Sequence, residues 1–98
     1  MKRNQIIDRL RDNADAMRGM GATALYLFGS TARGERTAGS DVDLFIDYDE
    51  NARFSLLDLV GIKQFLEEAI AVEVDITTRD SLHPMLKDDI ERAAYRVF

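Results

Sequence analysis

The sequence predicts an α/β or α+β domain in which helices cover a small β-sheet. Apolar residues repeat with helical spacing in some segments and with extended spacing in others, and the two kinds of segment alternate along the chain. No internal repeat, low-complexity tract or linker interrupts this order. With 98 residues, of which 46% are hydrophobic and 32% are charged, the chain suits one globular domain spanning residues 1–98.

The first part of the chain predicts a helix, a buried strand and a loop. Apolar side chains recur at helical spacing over residues 2–18, and Gly19 and Gly21 end this helix. Its apolar face is formed by Ile6, Leu10, Ala14 and Met17. Residues 24–28 are all apolar, which is typical of a strand buried on both faces. The polar stretch 31–39 contains glycine and predicts one short helical turn followed by a loop.

Two further strands are predicted on either side of a long helix. Residues 41–47 alternate, so that one face carries Val42, Leu44 and Ile46 and the other carries Asp41, Asp43, Phe45 and Asp47. Residues 54–70 have helical spacing, with an apolar face formed by Leu56, Leu59, Ile62, Leu66 and Ala69. Residues 71–77 predict a strand with Val72, Val74 and Ile76 on one face and Glu73 and Asp75 on the other.

The end of the chain predicts one more helix and a final extended segment. Asp80 or Ser81 is expected to cap the helix, with Pro84 in its first turn. The same helix would carry Leu86, Ile90 and Ala94. Residues 96–98 are expected to form a short edge strand or a docked tail.

Charge and composition exclude several classes of function. The net charge of −5 disfavours nucleic-acid binding, because attraction to phosphates dominates that affinity, and it suits metal ions or a basic protein partner. The absence of cysteine excludes disulfides and thiolate zinc sites. No apolar stretch approaches the roughly 20 residues that span a bilayer, and no signal peptide is visible. We therefore expect a cytoplasmic protein that does not associate with membranes.

Gly29 and Ser30 follow directly on the first predicted strand. A glycine at such a position lets the backbone approach a ligand closely. A serine that opens a helical turn presents its hydroxyl and the neighbouring N–H groups, which suit phosphate oxygens. An ordinary exit from a strand into a turn explains the two residues equally well.

Three acidic residues complete the candidate chemistry. Asp41 and Asp43 are alternate residues of one strand, so their carboxylates project from the same face and repel each other. Divalent cations relieve such repulsion, and Mg²⁺ is typically held by one or two carboxylates plus substrate phosphates. Asp75 would be a third carboxylate if its strand lies beside that of Asp41. The alternatives are that Asp41 and Asp43 lie in a solvated turn and that Asp75 lies on a solvated strand face. Taken together with Gly29 and Ser30, the three acids predict two-metal phosphoryl chemistry.

These segments resemble a known signature. Leu-Phe-Gly-Ser-Thr-Ala-Arg-Gly-Glu over residues 27–35 and Gly-Ser-Asp-Val-Asp-Leu over residues 39–44 resemble the minimal nucleotidyltransferase family of the DNA polymerase β-like superfamily. The shared pattern is Gly-Ser, ten residues, then Asp-x-Asp, with Arg-Gly inside the gap and Ser before the first Asp. Val-Asp-Ile at 74–76 resembles the family's third-carboxylate strand, so the resemblance spans about residues 25–77.

The resemblance implies a fold, a substrate and a set of roles. It implies the polymerase β-like nucleotidyltransferase fold, with a three- to four-stranded mixed sheet. It implies two Mg²⁺ ions and ATP as the substrate, with metal ligands at Asp41, Asp43 and Asp75. Asp75 would also help to deprotonate the acceptor hydroxyl, and the nucleotide would be held by Gly29, Ser30, Arg33 and Ser40. Arg36 is a further candidate for phosphate binding, although a solvated loop explains both loop arginines equally well.

The family also implies a partner. Its members are frequently antitoxins of HEPN-domain ribonuclease toxins, and some transfer AMP from ATP to a tyrosine of the toxin. The resemblance therefore implies a type VII-like antitoxin in a hetero-oligomer with a cognate HEPN toxin. A chain of 98 residues leaves no room for an acceptor-binding domain, so we expect a docked partner to supply the acceptor. The alternatives are an antitoxin that neutralises its partner by binding alone, and a small-molecule nucleotidyltransferase resembling the aminoglycoside-modifying enzymes, which the chain length disfavours.

Overall fold

A four-stranded mixed sheet forms the centre of the fold. The computed structural model describes residues 2–35, 37 and 39–98. The elements in chain order are α1 (Arg3–Asp12), α2 (Ala14–Gly19), β1 (Ala22–Phe28), α3 (Gly29–Ala32), β2 (Val42–Tyr48), α4 (Leu56–Ile70), β3 (Val74–Thr78), α5 (Lys87–Ala93) and β4 (Tyr95–Arg96). The strand order is β3-β2-β1-β4, with β2 and β3 parallel and the other pairs antiparallel. The predicted fold class is confirmed.

The hydrophobic core lies between one face of the sheet and the long helices. The sheet contributes Leu25, Leu27, Val42, Leu44, Ile46 and Val74, and the helices contribute Ile6, Ile7, Leu10, Met17, Ile62, Leu66 and Ile70. These side chains are all at most 3% exposed, as the alternation and the helical spacing predict. None of the helices in the described part of the chain combines the length and the apolar character needed to cross a bilayer.

On the opposite face of the sheet, an arginine lies over two stacked aromatic rings. Phe45 of β2 stacks on Tyr26 of β1, with ring centroids 4.7 Å apart. The Arg79 guanidinium lies 4.7 Å from the Tyr26 centroid and 5.1 Å from that of Phe45, and it pairs with Asp47 at 2.7 Å and Glu91 of α5 at 2.6 Å. Phe45 is therefore fully buried although it shares a face with acidic residues.

The structure corrects two details of the predicted helices. The helix predicted over residues 2–18 is broken at Asn13, whose side-chain amide donates to the Arg9 carbonyl oxygen and whose N–H donates to Leu10. Leu56, predicted on the apolar face of the long helix, is 74% exposed. The helix begins at Leu56 rather than at residue 54, because Ser55 caps it, and Phe54 before the cap packs inward with its ring stacked on Tyr48 at 4.8 Å.

The third strand and the last helix begin later than predicted. Ala71 takes a left-handed conformation (φ 57°) that ends α4, so β3 begins at Val74 rather than at 71. The Asp80 carboxylate accepts hydrogen bonds from Tyr48 and Thr78 instead of capping a helix. Residues Arg79–Ser81 form a 3₁₀ turn, and α5 begins beyond Pro84, which lies in the preceding turn. Of residues 96–98, predicted as a short edge strand or a docked tail, Arg96 lies in β4 and residues 97–98 form a tail that is hydrogen-bonded to Leu25 of β1.

Candidate active site

The end of β1 and the start of β2 lie side by side. Phe28 pairs with Asp43 in the antiparallel register, so that Gly29, the next residue, meets the Asp43 side chain. Gly29 has φ 71°, a left-handed conformation in which glycine is favoured. A Cβ atom at Gly29 would overlap the Asp43 carboxylate. Both the conformation and the close approach require glycine here.

The predicted acids meet at the same end of the sheet. Asp43 pairs with Asp75 in the parallel register of β2 and β3, and neighbouring strands are about 4.8 Å apart. Asp41 precedes β2 and is separated from Asp43 by the buried Val42. Burial raises the pKa of Asp43, and the negative charges of Asp75 and then Asp41 raise it further, against an opposing effect of Arg33. Asp75 and Asp41 are thus close enough to Asp43 to affect its ionisation.

The acids suit a cation that is only partly enclosed by protein. Among the described residues, no three His, Cys, Asp or Glu side chains are grouped so that they could hold a metal ion by themselves. Mg²⁺ does not need such a group, because one or two carboxylates plus waters and substrate phosphates are its usual ligands. Repulsion among half-buried and exposed carboxylates is also what a divalent cation relieves. The donor set therefore fits Mg²⁺ that is completed by substrate oxygens.

The backbone after β1 turns at once into the short helix α3. The Ser30 carbonyl oxygen accepts a hydrogen bond from the Glu35 N–H at 2.8 Å, and that of Gly29 accepts one from Arg33 at 3.2 Å. No side chain caps the N-terminus of α3 among the described residues. The amides of such a first turn suit a bound anion. Gly29 and Ser30 therefore combine a close backbone approach with hydrogen-bond donors for phosphate.

Two further site candidates, Arg33 and Ser40, lie between α3 and β2. Arg33 pairs with Glu35 at 3.0 Å, and both side chains are more than half exposed. Its charge nevertheless reaches Asp43, since it opposes the raised pKa of that group. The Ser40 hydroxyl forms a hydrogen bond of 2.8 Å with that of Thr37, which closes a turn just before Asp41. Arg36, the other predicted phosphate ligand, lies outside the described residues.

An arginine that the sequence did not single out supports α3. Arg3 donates from Nε to the Ala32 carbonyl oxygen at 2.9 Å, and its guanidinium lies 4.7 Å from the centre of the Tyr95 ring. It therefore joins α1 and the edge strand to the segment that carries Gly29 and Ser30. Arg3 and Ala32 are 29 positions apart, and no spacing in the sequence relates them.

Two cavities lie near opposite ends of the parallel strands. A cavity of about 330 Å³ is lined by Gly39, Ser40, Val72 and Glu73, which precede β2 and β3 in the chain. A second cavity, of about 410 Å³, is lined by residues that include Tyr48 and Thr78, at the opposite ends of β2 and β3. Neither of these two cavities is lined by Asp41, Asp43 or Asp75.

Comparison with known proteins gives a consistent result. The family model for the nucleotidyltransferase domain matches residues 4–96. A proposed protein adenylyltransferase of Methanocaldococcus jannaschii is 44% identical over 77 residues, which cover 79% of this chain and 81% of that protein. The protein adenylyltransferase MntA of Thermococcus cleftensis is 36% identical over 62 residues, covering 63% of this chain and 61% of that one.

Solved structures of similar fold include a proposed minimal nucleotidyltransferase, with a TM-score of 0.73 and 34% identity over 91% of this chain and 93% of that one. A toxin–antitoxin with AMP-PNP gives a TM-score of 0.69 at 23% identity, covering 100% of this chain and 73% of that one. The tri-AMPylated HEPN toxin of Shewanella oneidensis in complex with its MNT antitoxin gives a TM-score of 0.59 at 22% identity, covering 98% and 68%. At the last two identities the likeness is one of fold.

Proposed function

Since this chain belongs to the nucleotidyltransferase domain family, we propose that it is an antitoxin that transfers AMP from ATP to a cognate HEPN-domain toxin. The acceptor is a hydroxyl, with tyrosine as the proposed residue, and two Mg²⁺ ions assist the transfer. The observation that carries this proposal is the contact of Gly29 with Asp43, which in turn pairs with Asp75. This contact joins a phosphate-binding backbone to a pair of carboxylates.

The residues of the chain divide the work of binding between them. Gly29 and Ser30 hold the triphosphate through backbone amides and the Ser30 hydroxyl, because α3 begins there without a capping side chain. Asp41, Asp43 and Asp75 are the proposed ligands of Mg²⁺, which when bound neutralises phosphate charge and polarises the reacting oxygens. Arg33 and Ser40 support the loop and the phosphates.

The transfer is a displacement at the α-phosphorus of ATP. The acceptor oxygen forms a new bond to this phosphorus, and the bond from it to the β-phosphate oxygen breaks. Pyrophosphate leaves with that electron pair, and the acceptor proton passes to the Asp75 carboxylate. Asp75 is exposed and lies beside Asp43 in the register, so a docked hydroxyl has access to it.

The proposed partner and nucleotide draw on the relatives. The relatives described above at 44% and 36% identity are named as protein adenylyltransferases, the first of them as a proposed one. Proteins of the same fold include an antitoxin bound to a tri-AMPylated HEPN toxin and a toxin–antitoxin with AMP-PNP. The net charge of −5 supports a basic protein as the acceptor rather than a nucleic acid.

Mass spectrometry of a reconstituted reaction tests the proposal. The chain is incubated with ATP, Mg²⁺ and the HEPN-domain protein encoded beside its gene, and a mass gain of whole AMP units on that protein is expected. Asp41→Asn with Asp43→Asn should abolish the gain. The matched control is Asp8→Asn with Asp12→Asn, which changes two exposed acids of α1 and should leave the gain intact.

The same experiment separates catalysis from neutralisation by contact. The contrary result is a wild-type chain that gives no mass gain on the toxin, together with an Asp41→Asn, Asp43→Asn variant that still inhibits the toxin fully. That pair of results would establish an antitoxin that acts by binding alone. Nucleotide binding gives an independent measurement. A ligand at 100 times its Kd stabilises a protein by about 2.7 kcal/mol, so ATP with Mg²⁺ should raise the Tm of the wild-type chain and not of the double variant.

A further inference from the structure

The solvent face at the start of α4 is apolar, which is unusual for an exposed helix face. Leu56 is 74% exposed, Leu57 is 82% exposed and Val60 is 40% exposed. Their spacing places them on neighbouring positions of the helix surface. The inner face of α4 is already occupied by core residues such as Ile62 and Leu66. These three side chains therefore expose apolar surface to solvent instead of packing in the core. Contiguous exposed apolar surface often marks an interaction site.

A groove adjoins this apolar face. It has a volume of about 410 Å³ and is lined by residues that include Tyr48, Phe54, Leu56, Thr78 and Asp80. The stacked rings of Tyr48 and Phe54 form an aromatic wall, and Asp80 supplies a carboxylate. We call the groove together with Leu57 and Val60 the α4 surface. It offers apolar contact beside a fixed negative charge.

The charges around the α4 surface indicate which partner fits it. Residues 48–60 contain the carboxylates of Asp49, Glu50 and Asp58 and one basic residue, Arg53. Lys87 lies near Asp80 and Glu50, so that four acids with Asp80 face two basic residues. Hydrogen bonds from Thr78 and Tyr48 lower the pKa of Asp80, so this carboxylate stays ionised at neutral pH. A partner segment with apolar side chains flanked by lysine or arginine complements both properties.

A second copy of the chain fits less well. In a symmetric dimer the same patch faces itself, so these acidic groups would oppose one another across the interface. Each copy also carries a net charge of −5. Like charges brought together at an interface disfavour association. The surface therefore favours a basic heterologous protein.

We propose that the α4 surface docks the partner protein through a basic, apolar segment and lies apart from the catalytic carboxylates. This inference rests on the proposed function, whose acceptor it helps to locate. Tyr48 is five residues beyond Asp43 on β2, which corresponds to about 17 Å of extended strand. Docking at the α4 surface thus leaves Asp43 and Asp75 open to the acceptor group.

Binding measurements with paired variants test the surface. The probe is the purified HEPN-domain protein encoded beside the gene of this chain, titrated by calorimetry. Leu56→Ser with Leu57→Ser should weaken binding about tenfold or more, which corresponds to the loss of a central apolar contact. Met85→Ser is the matched control, because Met85 is 85% exposed and does not line the groove. It should change the Kd less than about twofold.

A second pair of variants tests the charge. Glu50→Lys should weaken binding about three- to tenfold at low salt and less at high salt, because exposed charges are screened. Glu68→Lys is the control, since it reverses an exposed charge on α4 about 18 Å along the helix from Leu56. With partner at saturation, the transfer rate of the Leu56→Ser, Leu57→Ser variant should equal that of the wild type, with only KM raised.

The outcomes separate this inference from the proposed function. Wild-type binding that both the leucine variant and Glu50→Lys retain in full would overturn the α4 surface and leave the function standing. Failure of the wild-type chain to bind the HEPN protein would overturn the proposed partner and the docking inference together. In sedimentation velocity, a wild-type dimer that the leucine variant dissociates would assign the surface to a second copy. An unchanged Tm shift with ATP and Mg²⁺ in the leucine variant verifies that its nucleotide site is intact.

Discussion

The contact between Gly29 and Asp43 predicts a specific effect of adding one methyl group. Gly29→Ala places a Cβ atom against the Asp43 carboxylate at a residue with φ 71°. The left-handed conformation costs an alanine about 1–2 kcal/mol, and the overlap adds to this until the carboxylate moves. Because the obstructing atom is the end of a side chain, we expect Asp43 to shift while the backbone stays in place. A displacement of about 1 Å at a reacting centre can reduce a rate about 100-fold.

Gly34→Ala is the matched control for this prediction. Gly34 has φ 73°, nearly that of Gly29, but a Cβ atom there meets nothing within 4 Å. Both variants should lose about 1–2 kcal/mol of unfolding free energy in urea. Only Gly29→Ala should lose about 100-fold in single-turnover AMP transfer at saturating ATP. Equal transfer rates for the two folded variants would refute the inference that Gly29 is needed for the position of Asp43.

Two further predictions concern charge. Burial and the neighbouring acids raise the folded-state pKa of Asp43, so its ionisation destabilises the folded chain as the pH rises above the unfolded value near 4. In metal-free buffer, urea titration should therefore show Asp43→Asn to be more stable than wild type at pH 7 and equal to it below about pH 3. A wild-type chain as stable as the variant at pH 7 would contradict this. Arg79→Ala should lower the free energy of unfolding by about 2 kcal/mol, because it removes two ion pairs that are each about 30% exposed and uncovers the Tyr26–Phe45 stack. The control is Arg92→Ala, whose ion pair is 78% exposed and whose loss should cost under about 0.5 kcal/mol. Equal costs in urea titrations would show that Arg79 does not hold this face together.

Local pattern was sufficient to predict the strands that carry Asp43 and Asp75. Alternation along β2 places Asp43 on the face opposite Val42 and Leu44, whereas Asp41, predicted as the first residue of this strand, directly precedes it. Apolar spacing likewise predicted the buried faces of β1, β2 and α4, including Leu25, Leu44 and Leu66. These features depend on neighbouring residues only, so the sequence is enough to predict them.

Features that depend on strand register or on distant partners could not be predicted. The overlap of a Cβ atom at Gly29 with Asp43 follows from the pairing of Phe28 with Asp43, which no local pattern specifies. Arg79 meets Asp47 across 32 positions, and Arg3 meets Ala32 across 29. The break at Asn13 arises because a side-chain amide competes for the Arg9 carbonyl, an alternative that apolar spacing does not register.

The parallel pairing of β2 with β3 determines both ends of the sheet at once. The register that sets Asp43 beside Asp75 also sets Ile46 beside Thr78, and Tyr48 and Asp80 follow these two residues at the groove. The distance between the carboxylates and the α4 surface is therefore fixed by strand geometry and not by a flexible loop. On the proposed docking, a partner bound at the α4 surface has to reach about 17 Å along β2 to present an acceptor at Asp43, which is about five residues of extended chain. On this geometry the partner's docking segment and its modified residue are different parts of its surface, so each can be changed without altering the other.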